Sequence, residues 1–412
     1  MKRKSGLMEL IADADNLRLA FWKAAKGKAT KRDCREFRGA LDRELDALRR
    51  GLLSGELKIG DYHYFKVHDP KERLICAASF RERVLHHAMI NICEPVLERA
   101  AIHDSYACRK GKGSLMAVAR ARSAARSQGW FLKMDMRKYF DSIDHATLRA
   151  QLARKFKESA LLMLFDRILG SYQCLPGRGL PIGNLTSQHM ANFYLSPLDR
   201  HIKETLKCRN YVRYMDDMVV WGQTGGELQA VLESVQQFAR SDLQLELKSG
   251  TALNRTCFGM DFLGYRIFPD SVRLSRRSKA RFARKFRRYE EARLAGVWSD
   301  RQAQQRMGAL LAFVLPAQSS AFRRRVLERF GVDAKGLEPC VTRRQLEQQR
   351  DQLPVGEPEQ QQPVEQQQQQ RVPCGLVPSS TGSSDEGRAD PATIPPVRLS
   401  GHGKHNTKAR CQ

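Results

Sequence analysis

Nowhere in this chain do two cysteines form a Cys-x-x-Cys pair, although ten are scattered between Cys34 and Cys411. That absence argues against a zinc ribbon and a redox dithiol, and the thiols read as reduced, mostly core groups. No apolar run approaches the roughly 18 residues that a membrane span requires, and Met1 to Leu17 lacks an apolar h-region and a cleavage site. A cytoplasmic location with no membrane partner is therefore expected. Aromatics are few at 8%, and acids are outnumbered: 45 Asp and Glu face 71 Lys and Arg, a formal net charge of +26. With 412 residues, 42% of them apolar, the chain is long enough for a sizeable core and two or three domains. A positive excess of this size points to a polyanionic partner, with nucleic acid first. A purely structural binder, ribosomal or chromatin-like, is the plainer alternative on charge alone.

The excess is unevenly placed. From Asp333 onward ten Lys or Arg balance ten Asp or Glu, so the whole surplus lies in residues 1–332. Such a field binds phosphates through counterion release and makes binding salt-sensitive. The neutral segment is rich in Gln, Pro, Ser and Gly, including Gln366 to Gln370 and the pair Pro395 and Pro396. It has too few apolar groups to offset its ordering entropy and is expected to be disordered, most clearly over 340–412.

Residues 5–58 place Phe37, Leu41, Leu45 and Leu48 at helical spacing and predict a helical lead-in, residues 1–60. Residues 61–270 are mixed α/β in character. Between Ser271 and Tyr289 nine cations occur without one acid, while Phe282, Phe286 and Tyr289 form a single apolar stripe. A basic helix facing nucleic acid is expected over this stretch, within a helical segment at 271–332; a merely solvated face is the plainer alternative.

Chemistry enters at Tyr211-Val-Arg-Tyr-Met-Asp-Asp-Met-Val-Val-Trp221. β-Prone runs flank the two carboxylates, so Asp216-Asp217 is expected to be the two-residue connection of a tight hairpin. Asp is a common turn residue, and alone this is only a surface turn. A second apolar run, Trp130-Phe-Leu-Lys-Met-Asp135, ends on another lone carboxylate. If that strand lies beside the hairpin, three anions converge and repel unless cations neutralise them. Hard oxygen ligands of this kind suit Mg²⁺, with Mn²⁺ as a substitute. Two ions about 3.5 to 4 Å apart activate a hydroxyl and stabilise a leaving pyrophosphate, which is nucleotidyl transfer.

These residues carry a family resemblance. Met134-Asp-Met-Arg-Lys-Tyr-Phe140 resembles the first catalytic motif of reverse transcriptases, and Tyr214-Met-Asp-Asp217, about eighty residues on, resembles their hallmark tetrapeptide. Between them, Gly179 to Gln188 is similar to the loop entering the palm helix under the templating base. Asp104 to Gly113 and Phe258 to Tyr265 resemble a fingers motif and the primer grip. Singly each match is weak, but the ordered set over roughly residues 60–270 is specific. The resemblance implies an α+β right-hand polymerase fold: fingers and palm at 61–270, a helical thumb at 271–332, then the disordered tail at 333–412. It implies RNA-directed DNA synthesis from an RNA template, a DNA or RNA primer and dNTPs.

The resemblance also implies roles. Asp135 and Asp216 are the principal metal ligands, Asp217 a ligand or close neighbour, and the Met136 carbonyl joins them. Phe140 is the ring that excludes a ribose 2′-hydroxyl, unless it is ordinary core. Lys71 and Arg73 clamp the triphosphate, or are plain surface charges. Lys248 matches a lysine that protonates pyrophosphate. Arg109, Lys110 and Lys112 in the glycine-containing turn offer cations to template phosphates. Gly183, Gln188, Tyr214, Gly264, Arg276, Arg277 and Arg284 complete the nucleic-acid track. His86-His87, in an apolar helical stretch, reads as core rather than as a metal site.

Many members of the family place Gln before the glycine of the palm loop; here the residue is Ile182. With the Asn184 to Gln188 run, Ala78 to Val84 and the compact basic thumb, this most resembles diversity-generating retroelement enzymes. Those copy a template-repeat RNA with errors at adenines and work with a basic helical accessory protein. An antiphage or group II intron-like reverse transcriptase uses the same palm, and a catalytically silent RNA-binding scaffold is the reading from another class.

Overall fold

The computed structural model describes residues 6–68 and 72–330. The expected disordered tail at 333–412, and Lys71, lie outside the described residues. Four helices, Leu7–Ile11, Ala14–Ala25, Arg32–Gly39 and Leu41–Ser54, form the N-terminal part. They bury Leu17, Phe21, Phe37, Leu48 and Leu52, the apolar stripe that their spacing dictates. The antiparallel hairpin of β1 (Tyr62–His68) and β2 (Glu72–Ala78) follows. Ser79 then caps the long helix Phe80–Glu98, accepting from the Glu82 N–H. His86 sits in that helix with 1% exposure, 3.5 Å from the carboxylate of Glu82.

At the centre is a four-stranded antiparallel sheet, ordered β4 (Tyr211–Tyr214), β5 (Asp217–Gly222), β3 (Trp130–Asp135) and β6 (Ala252–Arg255). Both faces of β3, β4 and β5 are covered and these strands read as mostly apolar runs, whereas the edge strand β6 is largely exposed. Leu132, Met134, Met218 and Val220 face one core with the N-terminal helices and the helix Gly225–Leu243. Phe131, Val219 and Trp221 face a second core. Period-two alternation assigns Lys133 and Asp135 to that second face.

The second core continues into a small sheet, β7 (Met260–Phe262), β8 (Tyr265–Ile267) and β9 (Val272–Leu274), and into three helices, Arg276–Leu294, Asp300–Val314 and Ser320–Phe330. One expectation needs correcting here. Arg273 belongs to β9, and the basic helix begins only after Ser275, whose hydroxyl accepts from the Ser278 N–H. The small sheet therefore runs across the expected 270/271 boundary. Phe282 and Phe286 are buried as their spacing requires, and Tyr289 packs edge-on against Trp298. The architecture is a mixed α+β right hand with a fingers hairpin, a palm sheet and a helical thumb.

Candidate active site and nucleic-acid cleft

Asp135 closes β3, Asp217 opens β5, and the antiparallel register sets them directly opposite each other. Tyr214 also pairs with Asp217, so the two-residue connection is Met215–Asp216. This corrects the expected Asp216–Asp217 turn by one position. Met215 takes the left-handed conformation, φ 57°, uncommon for a side chain of its size. The register is set by burial: a one-residue slip would exchange Met218 and Val220 with Val219 and Trp221 across the sheet.

Three carboxylates thus share one strand-end tip. Burial, then the charge of Asp135 and a hydrogen bond with it, together push Asp216 up to about 7. Burial raises Asp217 to about 6 against the opposing pull of Lys133. Oδ1 of Asp217 accepts no hydrogen bond, although Lys133 Nζ lies 3.3 Å away. Lys248 forms an ion pair with Asp135, and its backbone N–H donates to the Asp135 carbonyl at 2.8 Å. Among the described residues no three acidic, His or Cys side chains form a closed metal cage; the two outer carboxylates turn instead to Lys248 and Lys133. The pairing of this segment with Glu246 to Lys248 uses the carbonyls of Asp135 and Glu246 and leaves that of Met136 outside it.

Beneath the tip lies a group that the sequence reading missed. Arg213, with no exposure, forks onto Asp199, also fully buried: Nε donates to Oδ1 at 2.7 Å and Nη2 to Oδ2 at 2.6 Å. Nη1 donates to Asn192 Oδ1 at 2.8 Å and to the Met215 carbonyl at 3.1 Å. Tyr211 donates its hydroxyl hydrogen to Asp199 Oδ1 at 2.8 Å. A buried charge persists only when paired and fully hydrogen-bonded. Here that pairing grips the turn that carries Asp216. Its signal in the sequence is a lone Arg inside an apolar strand, as Lys133 is in β3.

A cleft of about 1160 Å³ runs from the tip to the thumb. Eight cations line it against two carboxylates, Asp217 and Asp261. Arg73 on β2, Lys133, Arg276 and Arg277 are among them, and Gly264 also lines it. Gly264 and Leu263, both with positive φ, form the β7–β8 turn. The Gly264 carbonyl accepts from Ser278 Oγ at 2.6 Å, which ties the turn to the basic helix. Arg284 is exposed one and two turns beyond Arg281 and Arg277 on the same helical face. Tyr214 is half-buried at the strand end.

The glycine-containing turn fits its expected role less well. Arg109 is committed internally: its guanidinium pairs with Glu98 at 2.7 Å and donates to the carbonyls of Ile102 and Ser105. It holds the turn in place instead of reaching phosphate. Lys112 donates to the His103 carbonyl at 3.0 Å and lies over the Tyr106 ring. Lys110 keeps an 86% exposed side chain, 3.3 Å from Glu94. The expected fingers motif lies along the palm edge, where Arg213 donates to the Asp104 carbonyl and Tyr106 to that of Arg213.

The palm loop docks on the fingers hairpin. Cys76 donates its N–H to the Ile182 carbonyl at 2.9 Å, and Ala78 donates to Asn184 Oδ1 at 3.2 Å. Gly183, φ 120°, has no room for a side chain, since a Cβ would stand 2.9 Å from Ile75 Cγ2 and 3.2 Å from the Cys76 carbonyl oxygen. Phe140 is half-buried, and its carbonyl accepts from Leu180 at 2.8 Å. Gln188 lies on the helix Leu185–Tyr194, its amide oxygen 3.7 Å from Cys108 Sγ.

The chain is similar to several known proteins. Residues 66–267 match the reverse transcriptase (RNA-dependent DNA polymerase) family. The COX1/OXI3 intron 1 protein of Saccharomyces cerevisiae is 22% identical over 50% of this chain and 26% of its own length. Protein YkfC of Escherichia coli is 23% identical over 54% of the chain and 71% of its own. The group II intron-encoded protein LtrA of Lactococcus lactis is 24% identical over 33% and 24%. The chain thus spans about a quarter of the yeast relative. Among solved structures, apo telomerase from Candida tropicalis aligns with a TM-score of 0.43 and 11% identity over 55% of this chain and 50% of that one. Among the described residues no helix is long and apolar enough to cross a membrane. The match to the reverse transcriptase family covers residues 66–267, just under half of the 412 residues.

Proposed function

We propose that this protein is an RNA-directed DNA polymerase whose reacting groups assemble on Asp135, Asp216 and Asp217. The observation that carries the reading is the convergence of three carboxylates on one rigid tip at the end of a basic cleft. A pure RNA-binding scaffold gains nothing from anions aimed at phosphate.

The donor set fits magnesium. Its groups are hard oxygens, two of the carboxylates are raised by burial, Asp217 Oδ1 lacks a hydrogen bond, and ammonium groups already neutralise the outer two. Asp135, Asp216, Asp217 and the Met136 carbonyl would hold the ions. Magnesium bound there, or manganese in its place, supplies Lewis-acid activation of a primer hydroxyl and charge neutralisation at phosphorus. The chain's own residues do the rest. Arg73, Arg276 and Arg277 draw the nucleic-acid and triphosphate anions into the cleft, and Lys110 adds an exposed cation at the fingers turn. Lys248, held beside Asp135, is placed to give a proton to departing pyrophosphate. Phe140 excludes the ribose 2′-hydroxyl, and Ile182 meets the nascent base pair. Residues 61–270 serve as fingers and palm, with the thumb entered through β9. The test is DNA synthesis by the full chain on a primed RNA: a magnesium-dependent product that Asp216→Asn abolishes supports the assignment, and a variant of full activity ends it.

Two finer readings divide on separate observations. Ile182 offers no polar group to the templating base, which supports the error-prone enzyme of a diversity-generating retroelement acting with a basic helical accessory protein. The intron-encoded relatives support a group II intron-like enzyme instead. Sequencing cDNA made on a defined RNA separates them: errors concentrated opposite template adenines favour the first, and uniformly low error the second.

A further inference from the structure

A second cavity adjoins the carboxylate tip. The cleft lined by Asp135 and Lys248, about 790 Å³, meets a pocket of about 430 Å³ at Arg137, which lines both. Two segments are joined beside this shared residue: Arg137 N–H donates to the Glu246 carbonyl, and Lys248 N–H to that of Asp135, each at 2.8 Å. Arg137 follows Asp135 by two residues, in the turn just past the end of β3.

Lys138, Arg178 and Arg240 join Arg137 around the smaller pocket, with Ser142 and Gln244 also in its lining. Glu246 is the lone acid in the lining and is engaged by Arg137 at 2.9 Å. Asp144 stands 3.8 Å from Arg178. Lys138 and Arg240 have no carboxylate partner among the described residues, so the pocket keeps a positive surplus. Its frame is rigid. Lys138 is fixed at φ 43° before the short helix Tyr139–Ser142, and Gln244 at φ 52° closes the helix that carries Arg240. Arg240, one turn before that helix ends, gains from the helix dipole, but this accounts for one of the four cations. A concave site with four cations, a hydroxyl and an amide matches a small, multiply charged oxyanion better than an apolar or neutral molecule.

We propose that this pocket binds inorganic pyrophosphate, the anion that must leave a nucleotidyl-transfer centre beside Asp135. Calling it a product site rests on the polymerase reading; binding of the anion does not. Lys138→Ala and Arg240→Ala, singly and together, alter exposed side chains outside the catalytic tip. Calorimetric titration of sodium pyrophosphate into the full chain, without nucleic acid, should show one site whose Kd rises tenfold or more in the double variant. In primer extension, the pyrophosphate concentration that halves the rate should rise by a similar factor, while the KM for dNTP and the Kd for primer–template stay within twofold. No binding by the wild type, or an unchanged Kd in the double variant, overturns the proposal whether or not the chain polymerises. A parallel rise in dNTP KM overturns it in favour of a subsite for the incoming triphosphate. Weakened primer–template binding overturns it in favour of the nucleic-acid track. Pyrophosphate binding in a chain that makes no DNA upholds the pocket and removes only the polymerase reading.

Discussion

The palm tip and the thumb helix are both densely charged, yet the protein treats their charges in opposite ways. At the tip, Asp135 and Asp217 each face a lysine, and a fully buried arginine holds the turn between them. Along the thumb helix Arg276, Arg277 and Arg284 stand exposed on a helix anchored mainly by Phe282 and Phe286. The tip must place oxygen atoms, so its supports are short, directional and desolvated. The helix needs only to create a field, and long solvated side chains do that at little conformational cost. Chemistry demands geometry; capture demands charge.

The sharpest way to break this comparison is at the tip. Asp216→Asn should lower DNA synthesis by at least about a thousandfold, as loss of a metal-site carboxylate does, with RNA affinity and the thermal midpoint nearly unchanged. Single-turnover extension alongside a melting curve checks both halves. Next comes the support below. Asp199→Ala leaves Arg213 buried and unpaired, and should cost about 3 to 5 kcal/mol in urea unfolding, far more than any single thumb substitution. A loss under 1 kcal/mol would show that the buried fork is dispensable.

The thumb should respond in a different observable. Replacing Arg276, Arg277 and Arg284 together by Ala should reduce the slope of log K against log salt by about two to three units, with stability changed by less than about 1 kcal/mol. An unchanged slope would assign the helix to solvent or to a protein partner. The fingers turn offers the same contrast in miniature. Arg109→Ala should cost about 1.5 to 3 kcal/mol of stability, because its bonds are internal and charge-assisted. Lys110→Ala should instead shift only the salt slope, by about one unit. The smallest effect is expected at the base pair: Ile182→Gln restores a polar contact of about 1 kcal/mol and should lower the error rate five- to tenfold, as read by cDNA sequencing.

The two regions were unequally legible in the sequence. The carboxylates stood out because two apolar strands end on them, and the register then brought Asp135 and Asp217 together. The turn was misplaced by one residue because local preference favours Asp over Met in a left-handed turn, whereas burial of Val219 and Trp221 fixes the pairing. Arg213 stood out only as a lone cation in an apolar strand; its partners Asp199 and Asn192, 14 and 21 residues earlier, give it a purpose. Arg109 and Arg277 are likewise indistinguishable as letters, one pinned by carbonyls and the other open to a cleft. The basic helix was evident from nine cations without an acid between Ser271 and Tyr289, but its start was not, because Arg273 alternates with buried Val272 and Leu274 as a strand residue.

The bare Cα of Gly183 makes the fingers and palm mechanically continuous. With Ile75 and Cys76 packed against that position and Cys76 bonded to Ile182, the strand bearing Arg73 and the loop bearing Ile182 are joined directly. If Arg73 grips the nucleotide and Ile182 meets the base pair as proposed, the two roles are not independently tunable, and variants selected for accuracy at the loop should carry altered nucleotide affinity with them.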